Sequence, residues 1–290
     1  MERRIVNALN QLSGKLSFSK NEKEMLYEIL SLSKEILGVE GVSLLLLDRE
    51  KKLHFYAAKG EKEKEIEGLG IKIPLGQGIA GWVAQIGKPA IVNDTISHPK
   101  FLPDVDEKIK YKTRSVLCVP LIIKSKVRGV IEAVNKKEDF TEEDLEFLQV
   151  VSGMMSIILE NYRFYLEVQK MKNFFKSLLD NMPGGFIAVD DEEKIVEFNQ
   201  MAGVILGVSP SLIIGKNLKD FPPSLFNFVE ILKITLNTGK TENRKVLTAK
   251  KPNGEQIVIG YGTIVIKEGD EKIIGAGIIF QDLSKIKGLP

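Results

Sequence analysis

The sequence has very few residues of the kinds that build disulfides, metal sites and imidazole-based active sites. Its 290 residues include one cysteine, Cys118, and two histidines, His54 and His98. A single thiol forms neither an internal disulfide nor a multi-thiolate metal site, and two imidazoles leave few routes to zinc, haem or acid–base catalysis. Glu and Asp residues stand on charged turns without a paired nucleophile or base. We therefore expect a non-catalytic protein.

Long apolar runs and a strong charge excess are also missing. The formal net charge is +2, and lysine and glutamate alternate along polar stretches such as residues 61–67. The longest apolar runs, residues 42–47 and 154–159, fall short of the roughly 20 residues that span a bilayer. Residues 1–9 lack the apolar core of a signal peptide. These features predict a cytoplasmic protein without a membrane anchor or a nucleic-acid partner.

The hydrophobic pattern of the first half predicts two helices followed by a sheet. At 290 residues the chain is long enough for two domains with separate cores. Apolar residues recur at helical spacing in residues 5–16 and 25–36. Six β-rich runs separated by turn residues follow. These runs are residues 41–48, 53–58, 71–74, 90–93, 115–122 and 128–135.

A long helix is predicted after the sixth strand. Thr141 is a typical N-cap, and three acidic residues follow it in the first turn, where the helix dipole favours negative charge. No proline interrupts residues 147–182. Alternating steps of four and three residues favour a parallel coiled coil in which Asn161 fixes the register, although the stripe could instead cover only its own domain. The series is Phe147, Val151, Met154, Ile158, Asn161, Tyr165, Val168, Lys172, Phe175, Leu179 and Met182.

A second mixed region is predicted after Pro183, which ends the long helix. Asn199 is a good N-cap for a short helix between two strand pairs, and an amphipathic helix follows Pro222 and Pro223. Three β-rich segments close the chain. The strands of this region are residues 186–190, 195–198, 244–249, 257–266 and 273–280. The fold class is therefore α+β in both halves.

The first region resembles GAF domains over residues 20–162. The motifs that carry the resemblance are residues 76–84 (GQGIAGWVA), 87–94 (GKPAIVND), 114–121 (RSVLCVPL), 129–131 (GVI) and 135–136 (NK). The resemblance implies a six-stranded antiparallel sheet with helices behind it and a pocket for a cyclic nucleotide, a small metabolite, haem or a bilin. Positions that match the family give the pocket wall as Trp82, Asn93, Asp94, Phe101, Arg114 and Ser115.

Several ligand classes within this family fit the sequence poorly. The cyclic-nucleotide signature is matched at Asn135, Lys136, Phe140 and Asp144, but Leu145 stands where its glutamate belongs. In that family the lysine and aspartate resemble a structural ion pair, so the partial match concerns packing more than a ligand. The bilin attachment motif is missing, and a GAF-type methionine sulfoxide reductase would need further cysteines. We expect Cys118 to be a buried small side chain.

The second region resembles PAS domains over residues 174–287. The motifs are residues 178–190 (LLDNMPGGFIAVD), 195–199 (IVEFN), 205–207 (ILG) and 279–284 (IFQDLS). The resemblance implies a five-stranded sheet cupping a small pocket, although each pocket residue could equally be plain core. That pocket would be lined by Phe198, Ile205, Phe226, Val229 and Leu232. Haem and cysteinyl-flavin binding are disfavoured because no histidine or cysteine follows Cys118, whereas noncovalent flavin stays open.

The end of the second region carries an Asp-x-Ser motif, Asp282 and Ser284. In PAS domains the matching residues couple the last strand to an output helix. The predicted division is an N-terminal helix (1–19), a GAF domain (20–162) whose last helix starts near residue 141, a coiled-coil linker (163–176) and a PAS domain (177–287).

The resemblances imply the sensory input region of a bacterial signal-transduction protein, as in sensor histidine kinases. We expect a homodimer that binds a small molecule and signals to an output domain, or to a kinase or transcription-regulator partner. The cofactor, if any, is unknown. The alternative is a ligand-free scaffold for dimerisation or protein interaction.

Overall fold

The computed structural model of the protein describes residues 21–270 and 272–284. These residues belong to two compact units that meet in the sequence between Glu167 and Val168. The helix predicted at residues 5–16 lies outside the described residues. No helix among the described residues is long and apolar enough to cross a membrane.

The first unit is a six-stranded antiparallel sheet with the strand order β3-β2-β1-β6-β5-β4. All six predicted strands are present. The strands are β1 (Val39–Leu47), β2 (Lys52–Gly60), β3 (Lys72–Pro74), β4 (Ala90–Val92), β5 (Val116–Ile123) and β6 (Lys126–Lys136). The helices are α1 (Glu22–Leu37), α2 (Glu63–Gly68), α3 (Gly78–Ile86), α4 (Asp104–Ile109) and α5 (Glu142–Asp180).

Each face of this sheet packs against different helices because side chains alternate along a strand. One face meets α1 and the first part of α5, and the other meets α3. The first core includes Leu26, Leu30, Leu44, Ile131, Phe147 and Val151. The second includes Leu45, Leu53, Val83, Val116, Cys118 and Val130. Neighbouring residues of β6, Val130 and Ile131, thus lie in opposite cores.

Helix α5 begins as predicted, with Thr141 before its first turn. The backbone N–H of Asp144 donates to the Thr141 hydroxyl at 3.3 Å, and the backbone N–H of Thr141 donates back to the Asp144 carboxylate at 2.9 Å. This reciprocal pairing satisfies backbone N–H groups that a helix start leaves free. Phe147 and Val151 are buried in the first core, and each contributes about 1.5–3 kcal/mol. The helix is therefore anchored at its N-terminal end.

The second unit is a five-stranded antiparallel sheet with the order β8-β7-β11-β10-β9. Its strands are β7 (Gly185–Asp190), β8 (Ile195–Phe198), β9 (Lys245–Lys250), β10 (Gln256–Glu268) and β11 (Lys272–Asp282). Its helices are α6 (Gln200–Leu206), α7 (Pro210–Ile213) and α8 (Phe226–Thr238), with 3₁₀ turns at Leu218–Asp220 and Pro223–Leu225. The α+β fold class predicted for both halves is confirmed.

Asn199 joins three elements of the second unit. Its side chain caps α6 by accepting from the Ala202 N–H at 2.9 Å, and it also accepts from the Phe186 N–H of β7 at 2.8 Å. Its amide group donates to the carbonyls of Leu179 at 2.8 Å and Gly184 at 3.0 Å. Asn199 is fully buried. The last turn of α5 is therefore fixed to the first strand and helix of this unit.

Candidate ligand-binding site

The first unit contains a cavity of about 140 Å³ on the face of the sheet that lies opposite α1 and α5. Strands β5 and β6 form its floor, and β3, the start of α3 and α4 surround it. Most of the wall is apolar. The apolar lining includes Phe55, Ile71, Ile73, Ile79, Phe101, Val116 and Val134. A cavity of this size is smaller than the roughly 300–1,000 Å³ of sites for drug-sized ligands.

Gly81 allows α3 to lie close enough to β3 to wall the cavity. A Cβ atom at Gly81 would lie 2.4 Å from the carbonyl oxygen of Pro74. The Gly76 N–H donates to the Gly81 carbonyl at 2.8 Å, which fixes the turn between the two elements. The glycine-rich motif that carried the GAF resemblance therefore shapes one wall of the cavity.

Glu132 stands on the floor of the cavity. It lies opposite Ser43 of β1 and Cys118 of β5, and beyond them in the same row are Ala58 of β2 and Ala90 of β4. Residues directly opposite on neighbouring strands share a face of the sheet. The carboxylic side chain is therefore flanked by small side chains along its row of the sheet.

The surroundings of Glu132 disfavour its charge. Burial, together with the negative charge of Asp106, raises the pKa of Glu132 to about 7. Asp106 is itself fixed, because it accepts hydrogen bonds from the Thr113 N–H and the Thr113 hydroxyl, both at 2.7 Å. Burial, and to a lesser extent the Glu132 carboxylate, raises the pKa of the Cys118 thiol well above its usual value. Glu132 thus titrates near neutral pH while the neighbouring thiol stays protonated.

Other charged residues at the cavity are Lys72, Asp104 and Lys108. The Lys72 ammonium group bonds the Asp48 carboxylate at 2.8 Å beside an adjoining open recess of about 420 Å³. That hydrogen bond, with two from backbone N–H groups, lowers the pKa of Asp48 to about 2. Lys72 is therefore engaged by a partner other than Glu132.

Of the six predicted pocket residues in this unit, only Phe101 lines the cavity. Asn93 instead clamps the chain before α5, accepting from the Phe140 N–H at 2.7 Å and donating to the Phe140 carbonyl at 3.1 Å. Asp94 accepts from the Ser97 hydroxyl at 2.7 Å in an exposed turn. The Trp82 ring packs against the His98 ring with centroids 5.9 Å apart.

Arg114 and Ser115 belong to a polar network at the end of the sheet. The Arg114 guanidinium pairs with the Glu40 carboxylate, and the Arg114 backbone N–H donates to Asn135 at 2.6 Å. The Ser115 hydroxyl accepts from the Lys136 N–H at 3.3 Å. These contacts connect β1, β5 and β6. Arg114 and Ser115 therefore lie beside the cavity and do not line it.

Lys136 and Asp144 form the ion pair that the resemblance to GAF domains implied. The ammonium nitrogen lies 2.5 Å from the carboxylate oxygen, and both side chains are largely buried. Burial alone would raise the pKa of Asp144, but hydrogen bonds from Lys136 and Thr141 outweigh it and hold the pKa below its ordinary value. The pair joins the end of β6 to the start of α5.

The sequence did not single out Glu132, Asp106 or Thr113. A signal was present, because Glu132 is the charged member of the otherwise apolar segment 130–134. Alternation places it on the face opposite Ile131. The sequence does not show which face of the sheet carries the cavity, because this depends on where the helices pack.

In the second unit, most of the predicted pocket residues lie in a packed core. Phe198, Ile205, Val229 and Leu232 are buried there, whereas Phe226 is 56% exposed. Phe226 and Val229 border an open surface groove of about 580 Å³. Its other lining residues include Leu218, Phe221, Pro222, Pro223 and Ile234. Four of the five predicted pocket residues are therefore part of the hydrophobic core.

Of the three residues predicted to transmit a signal, Asn161 lies in the middle of α5, whereas Asp282 and Ser284 lie at and just after the end of β11. Asn161 is exposed on α5. The Asp282 carboxylate accepts from the Ser284 N–H at 2.9 Å, and the Ser284 hydroxyl accepts from the Val258 N–H at 2.9 Å. The Asp-x-Ser motif thus fixes the end of β11 to β10.

Comparison with known families assigns both units. A GAF domain model matches residues 19–160, and a PAS fold model matches residues 173–283. The chain carries a GAF domain followed by a PAS domain. Both are sensory and regulatory domains, and they are usually non-catalytic.

Relatives of the GAF domain occur within larger proteins. A "Probable 3',5'-cyclic phosphodiesterase pde-5" of Caenorhabditis elegans is 25% identical over 54% of this chain. A "Dual 3',5'-cyclic-AMP and -GMP phosphodiesterase 11A" of Takifugu rubripes is 32% identical over 43% of it. The matched parts span 23% and 14% of those relatives. A chain in the crystal structure of the E. coli DhaR(N)-DhaL complex shares the fold, with 13% identity, a TM-score of 0.51 and coverage of 96% of this chain and 98% of that one.

Proposed function

We propose that the protein is the sensory input region of a bacterial signal-transduction protein, located in the cytoplasm. In this proposal the GAF cavity binds a small molecule, and α5 passes the change to the PAS domain within a homodimer. The observation that supports binding is a largely apolar cavity with the Glu132 carboxyl group on its floor and a few charged side chains around it, the usual composition of a small-molecule site. The output would be a kinase or a transcription regulator.

One strand, β6, connects the cavity to the start of α5. Glu132 and Lys136 lie on the same strand, and Lys136 bonds Asp144 in the first turn of α5. A ligand that contacts Glu132 therefore acts on the strand that holds the helix start. It can shift the helix only by as much as it binds one arrangement better than the other. At the far end of α5, Leu179 is bonded to Asn199 of the PAS domain.

The exposed stripe of α5 supports the homodimer, with a phase that differs from the predicted one. Phe147 and Val151 of the predicted series are buried in the GAF core, so they are not available to a partner. A neighbouring heptad series is exposed or partly exposed along the helix. Its members on the helix are Val150, Met154, Ile157, Asn161, Phe164, Val168, Met171, Phe175 and Leu178, which we call the exposed seam.

The exposed seam has the chemistry of a parallel two-stranded coiled coil. In its phase Asn161 occupies an a position, where a single asparagine specifies register, and Val168 is a β-branched residue at a. Lys172, a seam member in the predicted series, moves to an e position. Glu167 occupies the preceding g position, and g-to-e pairs of opposite charge favour parallel pairing. Residues 163–176 are the linker in this proposal.

A cyclic nucleotide is the ligand class suggested by the names of the two relatives. The charges at the cavity argue against it, because a cyclic phosphate is an anion and would approach Glu132 and Asp106. The cavity of about 140 Å³ is also small for a nucleotide. The rival to sensing is a scaffold whose cavity stays empty of ligand.

Native mass spectrometry of the purified protein tests ligand binding. We expect a small molecule of defined mass to be retained by the wild type and lost in Val134→Phe, because the larger ring fills the cavity floor. Val196→Phe, at an exposed position of the PAS domain, is the control and should retain the molecule. Retention by Val134→Phe, or no bound molecule in the wild type, would favour the scaffold.

A further inference from the structure

We propose that the GAF cavity takes a small organic ammonium ion, whose charged nitrogen binds the Glu132 carboxylate while its hydrocarbon part contacts the apolar wall. This inference rests on the proposed ligand-binding function and names the chemical class of the ligand. It follows from the missing partner of one carboxyl group, the balance of charge around it, and the size and polarity of the space.

Among the residues that the structure describes, neither a hydrogen-bond donor nor a cation bonds the Glu132 carboxyl group. The side chain is only partly exposed and borders the cavity. A carboxylate left without donors in such surroundings is costly. A donor that enters the cavity would remove that cost.

The charges around Glu132 favour a cation over a neutral or anionic ligand. Asp106 adds a second negative charge nearby, and Asp104 lies on the same helix at the cavity wall. Among the described residues at the wall the lysines are Lys72, which is bonded to Asp48, and Lys108. An ammonium ion would relieve the repulsion between Glu132 and Asp106.

The walls limit the rest of the ligand. Phe55, Phe101 and Val134 offer apolar surface, and apolar contact is worth about 25 cal/mol per Å² removed from water. The volume of about 140 Å³ is about that of four or five waters in the liquid. The carboxyl groups in the described part of the chain form no cluster that could hold a metal ion. A compact alkylammonium ion therefore fits better than a metal or a large polar ligand.

Three matched probes distinguish the possibilities in NMR titrations of the full chain. They share one branched hydrocarbon skeleton and differ at the end group: 3-methylbutylammonium, 3-methylbutan-1-ol and 3-methylbutanoate. We expect the ammonium ion to bind at least about tenfold more tightly than the alcohol at pH 8, because it makes a charge-assisted hydrogen bond. Chemical shifts of residues at the cavity should report the binding site.

The pH profile gives a second readout with a defined sign. A group whose pKa is about 7 is about one-tenth ionised at pH 6 and nine-tenths ionised at pH 8. Affinity for the ammonium ion should therefore rise about tenfold from pH 6 to pH 8. The charged groups facing Glu132 across the cavity are Asp104, Asp106, Lys72 and Lys108, and the Cys118 thiol stays neutral in this range.

The variant Glu132→Gln keeps the shape of the side chain and removes its charge. We expect it to lose at least about tenfold in ammonium affinity at pH 8 and to lose the rise with pH. Glu138→Gln, which alters an exposed residue after β6, should change neither. Wild-type titrations alone give the pH profile even if the Gln variant folds poorly.

The outcomes distinguish the ammonium assignment from the broader proposal that the GAF cavity binds a small molecule. Equal affinity for the ammonium ion and the alcohol, preference for the carboxylate, no binding of the ammonium ion, or an unchanged Glu132→Gln variant would overturn the ammonium assignment. A retained small molecule in native mass spectrometry would still support ligand binding in each of those cases. Absence of any retained molecule, with all three probes failing, would overturn both.

Discussion

At the scale of single residues, the Lys136–Asp144 pair connects the GAF sheet to α5. The resemblance to GAF domains implied this pair, because both positions match a signature within that family. The sequence could not place Asn93, Arg114 or Ser115 as precisely, since a polar side chain near a pocket can serve the backbone or a ligand equally well. In the structure their hydrogen bonds go to the backbone and to neighbouring side chains.

We predict that Asp144→Asn destabilises the GAF domain by about 2 kcal/mol, because Lys136 would stay largely buried without its charged partner. The pKa of Asp144 is lowered in the folded state. Its contribution is therefore full above the unfolded pKa of about 3.9 and is lost as the pH falls through the lower folded value. The difference in stability between wild type and variant should shrink below about pH 4.

Urea unfolding followed by the fluorescence of Trp82, the single tryptophan of the chain, measures this difference in the domain concerned. Asp139→Asn is the matched control, because Asp139 is exposed and lies between the same strand and helix. Equal midpoints for wild type and Asp144→Asn at pH 7 would show that the ion pair contributes no net stability.

At the scale of elements, the strands and the longer helices could be predicted, but the short helices α2, α4 and α7 and the phase of the apolar stripe on α5 could not. Thr141 and the acidic first turn fixed the start of the helix, and alternation fixed the strands. Two overlapping heptad series exist in residues 147–182, and the sequence alone does not say which one the GAF sheet covers. The burial of Phe147 and Val151 decides that the other series is exposed.

We predict that Met171→Glu weakens the homodimer, because it places a charge at a d position of the exposed seam, facing its counterpart in the partner. Sedimentation equilibrium should show a dissociation constant raised at least about tenfold, the equivalent of about 1.4 kcal/mol. Leu166→Glu is the matched control, since Leu166 is exposed on the same helix at an outward position. An equal loss in both variants would place the interface elsewhere.

At the scale of the whole molecule, the order of the two domains and their sheet architectures could be read from separated motifs. Which side chains line or fill the two predicted pockets could not be read from the sequence. Most of the PAS pocket residues fill a core, because Phe198, Phe228 and Phe280 occupy the space beneath the sheet, and packing volume is a property of the assembled domain. The GAF cavity lies between the sheet at Glu132 and the surrounding β3, α3 and α4, an arrangement that depends on how the helices pack.

We predict that inserting two residues after Arg163 weakens the homodimer, whereas inserting seven does not. Two residues turn the downstream part of α5 by about 200°, while seven residues nearly restore the phase. The two halves of the exposed seam would then face opposite sides in the first variant. Sedimentation equilibrium compares the two, and equal dimer stability would contradict a continuous seam.

The scarcity of cysteine has a practical consequence. Cys118 is fully buried and lies next to Glu132 in the sheet, and its protonated thiol reacts slowly because the thiolate is the nucleophile. A thiol-specific reagent can therefore label the chain at one position only, and only when that part of the domain transiently opens. The rate at which Cys118 of the native protein is labelled therefore reports how often this part of the domain opens. The mass of the intact protein gives that rate without an engineered cysteine.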